Sequence, residues 1–203
     1  MNFNSHGLFG ADTFNPLDTR TGLNLGSSTV MTIHASIPVE EWSSDAQFLA
    51  AVPVQKVAFL KDVKSSGSTA GGFTSGSYVE RTLNTVEGDT GIVSLASNKF
   101  TLQSGEYLIE GEAPAYAVNT HKAKVVQDPS GSPTDVILGQ NSGAVSTGAM
   151  TSSIFKGKIT VAGSTTFNIQ HRCSVTKATN GLGDAATFGD NELYTQVKIT
   201  KLR

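Results

Sequence analysis

The sequence predicts an all-β domain, either a two-sheet sandwich or a barrel. Composition points there first. Only 16% of the 203 residues are charged and 38% are hydrophobic, while 21 are glycine. Glycine and β-branched residues are weak helix formers, so a chain rich in Ser, Thr, Gly and Val suits short strands joined by tight turns. Alternation is the second observation. Leu193, Thr195, Val197, Ile199 and Lys201 fall on one side of a strand, with Tyr194, Gln196, Lys198, Thr200 and Leu202 on the other. Third, turn signals recur about every eight to twelve residues and separate roughly eight to ten short strands. No internal repeat at a fixed period is present.

Residues 1–29 have few aliphatic side chains, and Phe3, Phe9 and Phe14 are scattered among Asn, Gly, Asp and Thr. Alone, such a segment cannot bury enough surface to order itself. It reads as a free tail, or as an arm that orders against a partner with its aromatics as anchors. VMTIHASIPV then alternates like a strand, with Pro38 marking an end or edge. The lone Trp42 reads as a packing anchor. Pro53 stops any helical turn in SSDAQFLAAVPV. The expected division is therefore 1–54, an attachment segment with a short strand near 30–39, and 55–203, the β domain.

KVAFLKDVK opens that domain as a strand whose apolar positions are Val57, Phe59 and Val63. SSGSTAGGFTSGS reads as an exposed loop, and Tyr78–Thr85 as a second strand. KFTLQSGEYLIEGEA reads as a hairpin across Ser104-Gly105, with Phe100 and Leu102 entering and Tyr107 and Ile109 leaving. Ala113-Pro114-Ala115-Tyr116 is expected to break the outgoing strand. HKAKVVQD starts another, DPSGSP is a turn, DVILGQN is strand-like, and SGAVSTGAMTSS is a loop before the strand IFKGKITVAG. The last two strands, Thr166–Thr176 and Leu193–Leu202, flank a polar loop.

The first of these final strands carries His171, Arg172 and the only cysteine, Cys173. His171 and Cys173 point to one face, so a thiol–imidazole contact is conceivable. No helix terminus is in sight to depress the thiol pKa, and a free cysteine is usually a small buried hydrophobe. A zinc site built on His121 and His171 lacks an obvious third ligand. Glu87, Asp89, Asp128, Asp184 and Asp190 sit in loops, but none has EF-hand spacing. The structural reading is preferred. The histidines are packed and hydrogen-bonded on neighbouring strands, and Arg172 pairs a carboxylate such as Glu110, Glu112 or Glu192.

Charge and motif exclude further classes. A net charge of −2 with no basic run leaves no footprint for nucleic acid. No apolar run approaches membrane-spanning length. No signal peptide is evident, one cysteine cannot form an intrachain disulfide, and synthesis in a cytosol is expected. GxSxG, a P-loop and a glycosidase carboxylate pair are all missing, so neither enzymatic activity nor a cofactor is expected.

KDVKSSGSTAGGFTSGSYVERTLNT, SLASNKFTLQSGEYLIEGEAPAYAVNTHKAKV, and QHRCSVTKATNGLG with FGDNELYTQVKITK together resemble a phage-encoded β domain of the C1q/TNF jelly-roll type. Such domains occur at the C-terminal ends of bacteriophage tail fibres, spikes and related appendages. The specific elements are APAY-x-VN-x-H-x-A-x-V and QHRC, and the likeness spans about Val57–Lys201. ASIPVEEWS is similar to a short strand-and-Trp element seen beside such domains. The resemblance implies a C1q/TNF-like jelly-roll homotrimer in a virion, with residues 1–54 docking on other virion proteins. It further implies a capsid decoration or head fibre, or a tail-fibre or spike tip, that holds a host surface glycan or protein in loops such as Ser65–Ser77 and Ser142–Ser153. The short length, without repeats or heptads, favours a decoration or small appendage. The alternative is a soluble non-viral trimeric module binding carbohydrate or a receptor.

In such a trimer, Phe59, Phe100, Tyr116, Phe155, Phe167 and Tyr194 supply both core and interface. His121, His171, Arg172 and Cys173, with Tyr116 and Tyr194, are the candidates for framework or trimer contacts. Histidines near a threefold axis would strain the trimer on protonation below about pH 6.

Overall fold

Strands β1 (Lys56–Lys64), β2 (Val79–Glu80), β3 (Thr85–Gly88), β4 (Val93–Ala96), β5 (Lys99–Leu102) and β6 (Gly105–Tyr116) make up the first half of the domain. The second half holds β7 (Asn119–Gln127), β8 (Thr134–Leu138), β9 (Ser142–Ala144), β10 (Met150–Val161), β11 (Thr165–Cys173) and β12 (Glu192–Lys201). The computed structural model describes residues 55–144 and 148–203, and no helix occurs among them. Phe3, Phe9, Phe14, Trp42 and the strand expected near 30–39 lie outside the described residues, as do residues 145–147; the expected Ser142–Ser153 loop is instead strand at both ends, β9 at Ser142–Ala144 and β10 from Met150.

One sheet runs β10-β6-β12-β1-β3. The other runs β4-β5-β11-β7-β8, with β2 also on β11 and β9 also on β7. Setting aside the short β2, β3, β4 and β9 leaves eight strands with nested antiparallel pairing. The first pairs with the last (β1–β12), the second with the seventh (β5–β11), the third with the sixth (β6–β10), and the fourth with the fifth (β7–β8). A long antiparallel hairpin folded over into two sheets has this pairing, which is a jelly roll. The expected all-β jelly-roll sandwich is the observed fold of this domain.

The core between the sheets is built from alternate positions of facing strands. Phe100, Phe167, Ile169 and Val125 come from one sheet; Leu60, Tyr107, Ile109, Phe155, Val197 and Ile199 come from the other. Phe100 and Phe167 are register partners with ring centroids 5.5 Å apart. The mixed set of aromatics is thereby divided. Phe100, Phe155, Phe167 and Tyr194 are buried, Tyr116 is half-buried, and Phe59 faces solvent.

Several expectations are corrected. Phe100–Leu102 and Tyr107–Ile109 do not form a hairpin, because β5 pairs with β4 and β11 while β6 pairs with β10 and β12. Ser104-Gly105 instead carries the chain from one sheet to the other, with Gly105 at φ +151°, so both apolar rows enter the same core. The true hairpin is β4–β5, closed by Ser97 and Asn98, both at positive φ as a primed turn requires. Nor does Pro114 break β6. It pairs with Ser152 of β10 on one side, while on its other side the β12 ladder stops at Glu112, so no donor is missed. Tyr78–Thr85 is not one strand, since only Val79–Glu80 and, separately, Thr85–Gly88 are paired.

On β1 the buried face is the opposite of the apolar one. Ala58, Leu60 and Asp62 point inward and Phe59 outward. The register of β1 with β12 shifts so that Tyr194 and Thr195 together oppose Asp62. This bulge turns two consecutive β12 side chains inward. Tyr194 and Thr195 are both buried, and Leu193 is left exposed.

Candidate functional site

The SSGSTAGGFTSGS segment is not a free loop. Phe73 is fully buried and, with Ala70, Leu182, Tyr194, Ala115, Val118 and Cys173, forms a second apolar cluster at one end of the sandwich. The segment is laced to the β11–β12 connection through Phe73–Lys177, Ala70–Gly183 and Leu182–Gly71 backbone hydrogen bonds. Close approach explains the glycines, since a Cβ on Gly72 would overlap the Ala178 carbonyl oxygen. The Glu192 carboxylate accepts hydrogen bonds from the N–H groups of Gly67, Ala186 and Thr187. These three donors hold its carboxyl below the usual range.

Between the two clusters lies a buried polar layer centred on Arg81, a residue that the sequence did not single out. It is fully buried. Its Nε donates to Thr195 Oγ1 at 2.7 Å, and its Nη1 donates to the carbonyls of Leu182 and Pro114 at 2.9 and 3.2 Å. Its backbone N–H donates to Ile169. One side chain thus ties β6, β12 and the connecting loop together. Burial pushes its pKa down to about 10, against the opposing charge of Asp62, so it stays a cation at neutral pH. Asp62 is also buried. Desolvation raises its carboxyl pKa, although the ammonium of Lys64 lies 3.3 Å away.

His121 and His171 occupy the same layer. His121 Nδ1 and His171 Nε2 are 2.9 Å apart, and His121 Nε2 is 2.9 Å from Thr151 Oγ1. His171 also packs on the Phe73 ring at 4.8 Å, and its Nδ1 has no partner. A chain in which His171 Nε2–H donates to His121 Nδ1, and His121 Nε2–H to Thr151, leaves only an acceptor unpaired. Burial and then the Arg81 cation push His121 down to about 4 and His171 lower still. Both rings are therefore neutral well below pH 6, inside a single domain.

Cys173 is the register partner of His121, not a neighbour that the imidazole activates. Its thiol donates to the Val175 carbonyl at 3.3 Å, and burial raises its pKa. A nucleophile needs the reverse shift. A thiol-specific colorimetric reagent should leave Cys173 unmodified in the folded protein and titrate one thiol per chain in urea. Rapid modification of the native protein would contradict this placement. Among the described residues, no three His, Cys, Asp or Glu side chains converge on a possible metal position.

Arg172 departs from its expected ion pair. Glu110 pairs with Lys156 and Lys198, Glu112 accepts from Gln196, and Glu192 is occupied by backbone. Arg172 points outward from β11, opposite Lys122 of β7. There the two strand ends floor an open cleft of about 740 Å³. Gly76 and Tyr78, leading into β2, stand on the β11 side, and Asn141, leading into β9, stands on the β7 side. Lys124 Nζ sits 3.8 Å over the Tyr78 ring and 2.7 Å from Asp135 Oδ1.

No family model matches the chain, and no curated protein matches it. Among solved structures, the chain is similar to murine APRIL at pH 8.0, with 13% identity, 73% of this chain and 100% of that chain covered, and a TM-score of 0.46. Eiger TNF from S. frugiperda is similar at 9% identity, covering 73% and 93% of the two chains, with a TM-score of 0.48. The globular domain of zebrafish complement 1qA protein gives 12% identity, 73% and 98% coverage, and a TM-score of 0.42. The jelly-roll assignment rests on the strand pairing described above.

Proposed function

We propose that this chain is a non-enzymatic structural protein of a bacteriophage virion. It is a homotrimeric appendage, a capsid decoration or head fibre, or a tail-fibre or spike tip, whose jelly roll contacts the host cell surface. Residues 1–54 dock it on other virion proteins. The observation that carries the proposal is an apolar strip along one open side of the sandwich. Leu138 of β8 and Met150 and Ile154 of β10 are 60%, 53% and 50% exposed. β8 and β10 are the outermost strands of their sheets on that side, bridged by the Gln140 N–H to Ile154 carbonyl hydrogen bond. A long apolar edge left in water invites pairing, and a second copy of the chain covers it. Further support comes from the likeness of the APAY and QHRC elements to phage appendage domains, and from the burial of His121, His171 and Cys173 inside the fold.

Light scattering on the purified protein should give three times the 21.2 kDa chain mass. Ile154→Glu should give a folded monomer, because a charge then replaces the apolar contact. Mass spectrometry of purified particles should detect the chain. A wild-type monomer would remove the trimer, and absence from particles would remove the virion role.

A further inference from the structure

We infer that the open cleft at the β7–β11 strand ends binds an acidic saccharide, an inference that rests on the surface-contacting role proposed above and gives it a ligand class. Arg172 and Lys122 are directly opposed register partners on the outer face of their sheet. Like charges in that position cost stability. No described carboxylate forms an ion pair with either, and no Asp or Glu side chain lines the cleft. In a chain of net charge −2, the carboxylates that could have quenched them are placed elsewhere. Asn141 also has no hydrogen-bond partner among the described residues, so three donor side chains converge on one volume.

Together they suit an oxyanion. The planar Arg172 fork matches two carboxylate oxygens, Lys122 adds a point charge, and the Asn141 amide offers both a donor and an acceptor to hydroxyls. Tyr78 adds an amphipathic wall, steadied by Lys124 on its ring. The volume falls within the range of small-ligand sites. Two opposed cations at one spot do not make the extended basic track that a nucleic acid backbone requires. An anionic sugar unit presents one charge among many hydroxyls, and it fits this mixture of donors.

The test is calorimetric titration of the full-length protein with uronate-containing and sialate-containing tetrasaccharides. Neutral chitotetraose, inorganic phosphate and an oligothymidylate serve as comparisons. At least one acidic tetrasaccharide should bind, at least tenfold more tightly than chitotetraose, phosphate or the oligonucleotide. The double variant Lys122→Gln/Arg172→Gln should weaken that binding at least tenfold while its melting temperature stays level or rises as the like-charge contact is relieved. Tyr78→Ala should weaken it as well. The inference is overturned if no acidic tetrasaccharide binds, if any comparison binds as tightly, or if the double variant binds like the parent. Because the purified protein is used, a failure here leaves virion mass spectrometry untouched, and absence from virions leaves the cleft result standing.

Discussion

Arg81→Ala should lower the free energy of unfolding by about 3–5 kcal/mol, the usual cost of removing one member of a buried charged network. The side chain donates to Thr195, Pro114 and Leu182. Without it, two carbonyls and a hydroxyl lose their partner, and buried Asp62 loses a compensating charge. The two apolar clusters would also come to face one another across a void. Arg81→Lys should rescue little, because one ammonium on a flexible stem cannot serve acceptors on β6, β12 and the preceding loop at once. Pairing Arg81→Met with Asp62→Leu should recover part of the loss, since an apolar pair leaves no unpaired charge. Urea denaturation would measure all three variants. A change under about 1 kcal/mol for Arg81→Ala would show that the layer is not the joint described here.

The histidine pair should make the domain acid-sensitive from just below neutrality. Both folded-state pKa values lie below the ordinary value of 6.5. Between the folded and unfolded values the unfolded chain binds more protons, so stability falls as pH falls. The contribution is fully present above pH 6.5 and is lost progressively towards pH 4 for His121, and further down for His171. For His121 alone this amounts to about 3 kcal/mol by pH 4. Glu106, Glu110 and Glu192, whose pKa values are lowered from 4.5 by their partners, begin to add the same trend only below that value. Asp62, whose carboxyl is raised from 3.8 by burial, works in the opposite direction, so the imidazole contribution from pH 6.5 to 4.5 is read as the difference between the wild-type and histidine-variant profiles. Stability there should fall by up to about 1.4 kcal/mol per pH unit for each histidine, and His121→Asn should remove about half of the slope. Wild-type and His121→Asn profiles of equal slope across that window would contradict a neutral, buried His121 ring.

Much of the sandwich was legible because burial on one face leaves a period of two. Phe100 and Leu102, Tyr107 and Ile109, and Val197 and Ile199 all alternate and are all buried. Alternation names a face, but it does not name a partner strand. The short Ser104-Gly105 connection looked like a hairpin and proved to be a crossing between sheets. Nor does alternation tell an apolar outer face from a polar inner one. Phe59 lies on the apolar face of β1, yet Ala58, Leu60 and Asp62 form the buried one.

The histidines, Arg172 and Cys173 were legible as a group, but not as to role. Adjacent residues on a strand point to opposite faces, so His171 and Cys173 entered the interior while Arg172 entered the cleft. Only the neighbouring strand β7 decided what each would meet. It set His121 beside His171 and Lys122 beside Arg172. By itself the sequence determined the all-β class, the approximate strands and the lack of a membrane-spanning or nucleic-acid-binding pattern, because composition and period are local properties. The tertiary structure alone decided the nested pairing, the Arg81 layer and the cationic cleft. Each of these joins residues tens of positions apart, and their register is set by ladders and bulges that no local pattern encodes.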